Sequence, residues 1–443
     1  MSKNNYTFKN FGIDSFWNII TKFFIILLKS GSSIITARFL GPYERGIYYS
    51  IILFTGLINS IFTISVGDGI IFNISKYKKN FFIFGNLIFF VLFFSFINFL
   101  ILFFLETFIR NYFLKDIPDL YYNTIYFLIP LFIIEYIASF SLRGLKLFTI
   151  SNKISIFSKI ISISILIFSF LLFGISVEIA FYSIIVSYTI ISLTYCFFIY
   201  RLCFFNFIFD IKRKLEILIY SLKIHLNNFL NEAEYRFDIP IILFFLDYKA
   251  VGIYSIGVAV SQIVLYVSNS INTVLFPFLL SSHSQKNKLK YTDRVIKINF
   301  IINIYIIIFL IIFGNFLIPF VYGKEYLESF YVFLFLSPAI LFDSISRNIF
   351  VYLKSEKNPI LLSKISFVTL LLNILLNIFL IPNYGIYGAA IASLISYLLR
   401  SIITIYIFNN SRVNKFRIYD IFNEFTDITF DLIKKIKKIF INK

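Results

Sequence analysis

Twelve apolar runs divide the chain, and each is long enough to cross a lipid bilayer as a helix. A spanning helix needs about 20 apolar residues, because a helix rises about 1.5 Å per residue through about 30 Å of hydrocarbon. The runs are residues 15–37, 46–71, 82–105, 121–142, 154–173, 178–200, 216–246, 251–278, 297–320, 329–353, 360–381 and 386–408. Backbone polar groups in lipid must pair within the protein, so this pattern predicts an all-α polytopic membrane protein of about 12 transmembrane helices.

Composition favours the same class of protein. Hydrophobic residues make up 59% of the chain and charged residues 14%, whereas soluble domains contain roughly 25% charged residues. The net charge of +18 is spread over short connections between the apolar runs, which is typical of loops beside anionic lipid headgroups. We therefore expect anionic membrane lipids as partners and no nucleic acid.

Motifs for metal, redox or nucleotide chemistry are missing from the sequence. Cys196 and Cys203 form no CxxC pair and predict neither a disulfide framework nor a thiolate metal site. No GxxxxGKS or GxxxxGKT loop is present, so ATP hydrolysis by this chain is not expected. We expect no catalytic residues, no metal and no cofactor.

Lysine and arginine are distributed unequally between alternate connections. Cytoplasmic loops of membrane proteins carry an excess of lysine and arginine. If the N-terminus of this chain is cytoplasmic, its outer connections hold only about six of these residues. They are Arg38, Arg45, Arg110, Lys115, Lys249 and Lys324. We therefore expect a multi-pass protein of the cell inner (cytoplasmic) membrane with both termini in the cytoplasm.

Two stretches of the sequence resemble each other and indicate an internal repeat. GPYERGIYYS at 41–50 leads into the second run, and LDYKAVGIYS at 246–255 leads into the eighth. The repeat predicts an N-terminal six-helix bundle at 1–200, a basic cytoplasmic linker at 201–215 and a C-terminal six-helix bundle at 216–408. Because each half has an even number of spans, we expect two parallel halves around a central cavity.

The residues after the last run form a separate segment. Residues 409–443 combine apolar residues at helical spacing with several lysines. This pattern predicts a basic amphipathic tail on the cytoplasmic leaflet, where each basic residue gains about 1 kcal/mol from anionic lipid.

Charged side chains inside the apolar runs are functional candidates, because each costs at least about 2.5–3.5 kcal/mol at the bilayer centre. The seventh run contains HLNNFLNEAEYRFDIP at 225–240. Glu232 and Arg236 are four residues apart and form either a structural ion pair or part of a cavity. Glu234 and Asp238 share another face, where two acids that repel each other favour binding of a proton or cation. The alternative is that all four are satisfied in dry contacts between helices.

The first run places polar residues on one helical face at spacings of four, four, seven and four. These residues are Asp14, Asn18, Lys22, Lys29 and Ser33. Lys22 and Lys29 either line a cavity or pair internally, for instance with acids of the seventh run. Arg347 follows Asp343 by four residues in the tenth run and is either a cavity cation or the partner of Asp343. Glu135 and Lys159 are candidate partners across neighbouring helices.

Four segments carry a resemblance to a known family. They are ARFLGPYERGIYYS at 37–50, SVGDGIIFNISKY at 65–77, VYGKEYLESFYVFLFLSPA at 321–339 and NYGIYGAAIASLISY at 383–397. With these motifs the chain resembles the polysaccharide flippases of the Wzx type, whose superfamily also contains MATE-type multidrug exporters and lipid II flippases. The resemblance implies a transporter rather than an enzyme, and Asp238 matches an acidic position of the family pattern.

The resemblance implies a specific transport reaction. A polyprenyl-diphosphate-linked oligosaccharide would move from the cytoplasmic to the outer leaflet by ion-coupled alternating access, as in an antiporter for O-antigen or another surface polysaccharide, including that of lipopolysaccharide. Cavity cations would bind the phosphates: Lys22, Lys29, Arg236 and Arg347. Glu232, Glu234 and Asp238 would bind the coupling proton or sodium ion, and Asp14 and Asn18 would be polar cavity residues. Other polysaccharide assembly proteins are candidate partners.

Two other functions stay open. An ion-coupled small-molecule or multidrug exporter would have the same fold. A membrane glycan polymerase or ligase would need a large outer loop, whereas the longest outer connection here is 106–120 and both histidines, His225 and His283, are placed inside.

Overall fold

The computed structural model describes residues 8–77, 83–202, 210–281, 284–356 and 359–410, and most side chains of these ranges from residue 24 onward. Within these ranges the protein has twelve α-helices and no β-strand. The helices are α1 (Phe8–Phe62), α2 (Val66–Tyr77), α3 (Ile83–Tyr112), α4 (Asp119–Gly144), α5 (Phe148–Phe173), α6 (Val177–Leu202), α7 (Ile211–Ala233), α8 (Asp238–Phe245), α9 (Tyr248–Ser281), α10 (Gln285–Tyr322), α11 (Leu327–Ser355) and α12 (Pro359–Asn410). The all-α prediction is confirmed. The expected tail beyond residue 410 and residues 203–209 of the expected linker lie outside the described residues.

Among the described helices, nine are long and apolar enough to cross a membrane. Seven of them match single apolar runs. Helix α12 contains two runs joined at a bend, and α1 contains the first run and most of the second, also joined at a bend. The bends lie at Gly41, with φ 71° next to Pro42, and at Gly385, with φ 58° shortly after Pro382. Positive φ is unfavourable for a residue with a Cβ, and proline lacks a backbone donor, so each pair turns the chain between two spans.

The seventh apolar run, expected as one span over 216–246, is divided in two. Helix α7 ends at Ala233, a turn covers Glu234 to Phe237, and α8 begins at Asp238. Pro240 lies in the first turn of α8, where its missing N–H is tolerated but where it cannot continue a helix from α7. The polar passage therefore lies at a helix break and not within a continuous helix.

The second run also departs from one continuous helix. The expected span 46–71 is interrupted after Phe62, where Ile64 and Ser65 have φ values of 51° and 50°. Helix α2 then begins at Val66 and packs closely on α7, since a Cβ at Gly69 would lie 2.6 Å from the backbone oxygen of Ile217. Glycine at this position allows the two backbones to approach, as small residues do in membrane helix pairs.

The chain forms two compact units, which are described separately. The first unit comprises Met1–Ile256, Ile318–Ser329 and Asn377–Ala389, and the second comprises Gly257–Leu317, Phe330–Leu376 and Ala390–Lys443. In the first unit α1, α4, α5 and α6 pack together around fully buried aromatic side chains such as Tyr122, Phe181 and Tyr195. The expected division of the sequence at 201–215 stays a prediction.

The second unit combines an apolar core with buried amides. Its core contains Leu275, Leu279, Ile296, Phe300, Ile345, Ile349, Tyr352, Leu353, Leu362 and Phe408. Elsewhere in the unit the Ser268 hydroxyl donates to Asn299 at 3.2 Å and accepts from Asn303 at 3.1 Å. These hydrogen bonds join α9 to α10. Such bonds help to hold helices together in lipid, because burial of apolar side chains provides little net attraction there.

Candidate functional site

The turn between α7 and α8 brings one predicted ion pair together. Arg236 Nη2 lies 3.1 Å from Glu232 Oε1, and the two side chains are 41% and 35% exposed. The Ser60 hydroxyl of α1 donates to the other Glu232 oxygen. Gly56 leaves room for the guanidinium, because a Cβ there would lie 3.0 Å from Arg236 Nη1. The pair is therefore formed, partly open, and close to α1.

Asp238 is held by two neutral donors that sequence reasoning missed. Its carboxylate is buried, accepts from the Tyr254 hydroxyl at 2.6 Å and accepts from Asn377 Nδ2 at 2.8 Å. Tyr254 belongs to the GIYS repeat, and Asn377 follows Asn373 by four residues in the otherwise apolar stretch 370–381. Two features of the sequence indicate these partners: a tyrosine in the repeat motif and an amide side chain inside a membrane span.

Glu234 is fully buried at the end of α7, where its backbone N–H donates to the Leu230 carbonyl and the next N–H, of Tyr235, donates to the Glu232 carbonyl. The C-terminal end of a helix carries partial negative charge and the N-terminal end partial positive charge. The α7 end therefore attracts cations beside Glu232 and Glu234, whereas the α8 end stabilises negative charge at Asp238. Discontinuous helices of this kind form ion sites in secondary transporters.

Lys29 lies near three other charged side chains of the first unit, and these four residues are called the Lys29 cluster here: Lys29, Lys159, Glu135 and Arg236. The Lys29 side chain is exposed. Among the described residues it forms no ion pair. Lys159, a candidate partner of Glu135, has its ammonium 5.5 Å from the centroid of the Tyr188 ring. The Lys29 cluster therefore carries more positive than negative charge.

The other residues predicted on the face of the first run are Asp14, Asn18 and Lys22. Their backbone belongs to α1, but their side chains lie outside the described part of the structure. Their assignment as cavity residues stays a prediction.

The second unit contains a separate charged cluster. Asp343 is fully buried, with Oδ2 2.8 Å from Arg347 Nε and Oδ1 bonded to Arg400. Arg347 also donates to the Asn269 side chain at 2.9 Å. Two guanidinium groups share one carboxylate, so the cluster has a net charge of about +1. Arg400 was missed, although an arginine inside an apolar run is itself a signal.

Within the described ranges no group of three or more His, Cys, Asp or Glu side chains could hold a metal ion. Glu232, Asp238 and Asp343 are instead bound by hydroxyl, amide and guanidinium groups.

Residues 35–331 of the sequence match the family described as polysaccharide biosynthesis protein. The chain belongs to that family. A relative from Haloferax volcanii, named a probable low-salt glycan biosynthesis flippase, is 26% identical over 170 residues. That match covers 38% of this chain and 36% of the relative, so the similarity spans about a third of the relative's length.

Solved structures with the same fold cover most of the chain. The lipid II flippase MurJ, in an inward closed conformation, matches with a TM-score of 0.71 and 17% identity over 93% of this chain and 89% of its own. An inward-facing MATE multidrug transporter of the MOP superfamily matches with a TM-score of 0.66 and 12% identity over 88% and 97%. The predicted family resemblance and the polytopic fold with about 12 spans are confirmed.

Proposed function

We propose that the protein flips a polyprenyl-diphosphate-linked oligosaccharide from the cytoplasmic to the outer leaflet of the inner membrane for surface polysaccharide biosynthesis. The observation that carries this proposal is the family match over residues 35–331, on a fold shared with transporters. A transporter, and not an enzyme, is the function that this combination supports.

The excess positive charge of the Lys29 cluster supports a diphosphate-bearing substrate. Lys29 and Lys159 lie with Arg236 in the first unit, and the exposed Lys29 ammonium forms no ion pair among the described residues. A phosphate near such charges is attracted far more strongly than in bulk water, because the surrounding protein has a low dielectric constant. Lys22 would extend this set. Arg347, in the separate cluster with Asp343, is a further candidate for binding phosphate.

Asp238 would couple transport to an ion. Its two oxygens are bound to Tyr254 on α9 and Asn377 on α12, so protonation would weaken acceptance from at least one donor. A change at one carboxyl group thereby alters the contacts of α8 with two other helices. Glu232 and Glu234 at the end of α7 would attract the incoming proton or sodium ion.

The topology required by this proposal has both termini in the cytoplasm. It rests on the excess of lysine and arginine in alternate connections. Counter-transport of an ion would supply the free energy of an uphill flip, since the sequence holds no nucleotide-binding loop.

Deletion of the gene tests the proposal in cells. The lipid-linked oligosaccharide should accumulate on the cytoplasmic leaflet and surface glycan should disappear. Wild type should restore display, whereas Lys29→Ala and Asp238→Ala should not. Loss of a polymerase would instead leave single repeat units displayed, and loss of a multidrug exporter would leave glycan display intact and lower drug resistance.

A further inference from the structure

The two repeat motifs contact each other through matched glycines. A Cβ on Gly46 would lie 1.7 Å from the backbone oxygen of Tyr248, and a Cβ on Gly252 would lie 2.0 Å from the backbone oxygen of Pro42. Gly46 and Gly252 occupy the same position of the repeat, as do Pro42 and Tyr248. The contact is therefore reciprocal, and each side requires a residue without a side chain.

Hydrogen bonds to backbone carbonyls link residues within or just before the two repeat motifs to other connections of the chain. Arg38 Nη1 donates to Phe320 at 2.6 Å, and the Tyr326 hydroxyl donates to Ala37 at 3.1 Å. The Tyr248 hydroxyl donates to Lys115 at 2.7 Å. These bonds join connections that are distant in the sequence, and by the proposed topology all of them lie on the outer side of the membrane.

We propose that the reciprocal glycine contact is the outer gate of the transport cycle, formed when Gly46 and Gly252 each touch the opposite backbone and broken when the outer side opens. This proposal rests on the proposed transport function and its topology. A Cβ at either glycine overlaps backbone atoms that cannot rotate away. Alanine at either position therefore opposes closure and shifts the population towards the open state.

A distance measurement on the full-length protein tests the gate directly. Cys196 and Cys203 are replaced by serine, and spin labels are attached at Tyr43→Cys and Lys249→Cys, two exposed positions beside the contact. Pulsed electron paramagnetic resonance then reports the separation of the labels in lipid nanodiscs.

Gly46→Ala and Gly252→Ala should each shift the label distances to longer values than in the wild type. Gly31→Ala on the same helix is the matched control, because its Cβ would meet Ile163 at an ordinary 3.8 Å. Unchanged distances in both gate variants would overturn the proposal.

A second measurement keeps both glycines, so it does not depend on whether the two glycine variants fold. A reversible bifunctional thiol reagent joins the cysteines at positions 43 and 249, after which transport should stop and return on reduction. Full transport by the cross-linked protein would also overturn the gate. The label distances are measured without substrate. If the gate variants shift these distances but the wild-type protein does not flip the glycan lipid, the proposed substrate is refuted and the gate stands.

Discussion

The substitution Tyr254→Phe tests whether Asp238 is held as a charged carboxylate. The hydroxyl of Tyr254 lies 2.6 Å from Asp238 Oδ2, a length typical of a hydrogen bond to a charged oxygen. Such a bond contributes about 1.5–3 kcal/mol, whereas a bond to a neutral acceptor contributes about 0.5–1.5 kcal/mol. Phenylalanine keeps the buried ring, so we expect the free energy of unfolding to fall by about 1.5–3 kcal/mol.

The assay is reversible unfolding of the purified protein in mixed micelles, followed by circular dichroism. In an Asp238→Asn background the cost of Tyr254→Phe should fall to that of a neutral bond, which gives a coupling of about 1 kcal/mol or more in a double-mutant cycle. Tyr122→Phe is the matched control, because the buried Tyr122 hydroxyl has no hydrogen-bond partner among the described residues, and it should cost nothing. Equal costs of Tyr254→Phe in both backgrounds would refute the charged carboxylate.

Three further substitutions follow from the same structure. Asp343→Ala should lower the free energy of unfolding by about 3–5 kcal/mol, since it leaves the buried Arg400 without its carboxylate; wild-type stability in the same titration would contradict this. Lys29→Ala should reduce the rate of flipping in proteoliposomes about tenfold for each 1.4 kcal/mol of lost attraction, and Lys29→Arg should keep most of the wild-type rate. Equal rates for Lys29→Ala and wild type would show that Lys29 is not part of the site. Gly69→Ala should cost about 1–3 kcal/mol of stability because its Cβ would meet a backbone oxygen of α7 at 2.6 Å, while Gly31→Ala should cost nothing measurable.

The membrane spans could be predicted because apolar length is a local property of the sequence. The runs 82–105 and 121–142, for example, correspond to α3 and α4. The seventh run failed as a single helix, since its length indicated one span while Pro240 and the preceding polar residues end α7 at Ala233. A helix break depends on backbone hydrogen bonding, which apolar length does not report.

The partners of the charged residues could not be predicted, because they come from distant parts of the sequence. Asn377 is 139 residues from Asp238, and Arg400 is 57 residues from Asp343. A separation of four residues identified the pairing of Glu232 with Arg236, which forms although Arg236 lies in the turn after α7. Contacts between helices depend on which helices pack together, and the repeat alone did not reveal that its matched glycines touch.

Transport by the purified protein is the most direct test of the central claim. Proteoliposomes would contain the polyprenyl-diphosphate-linked oligosaccharide, and a probe that cannot cross the membrane would measure the fraction exposed on each leaflet after an ion gradient is applied. We expect wild type to move the glycan lipid between leaflets and Asp238→Asn to leave it where it began. Movement no faster than in protein-free liposomes would contradict the account.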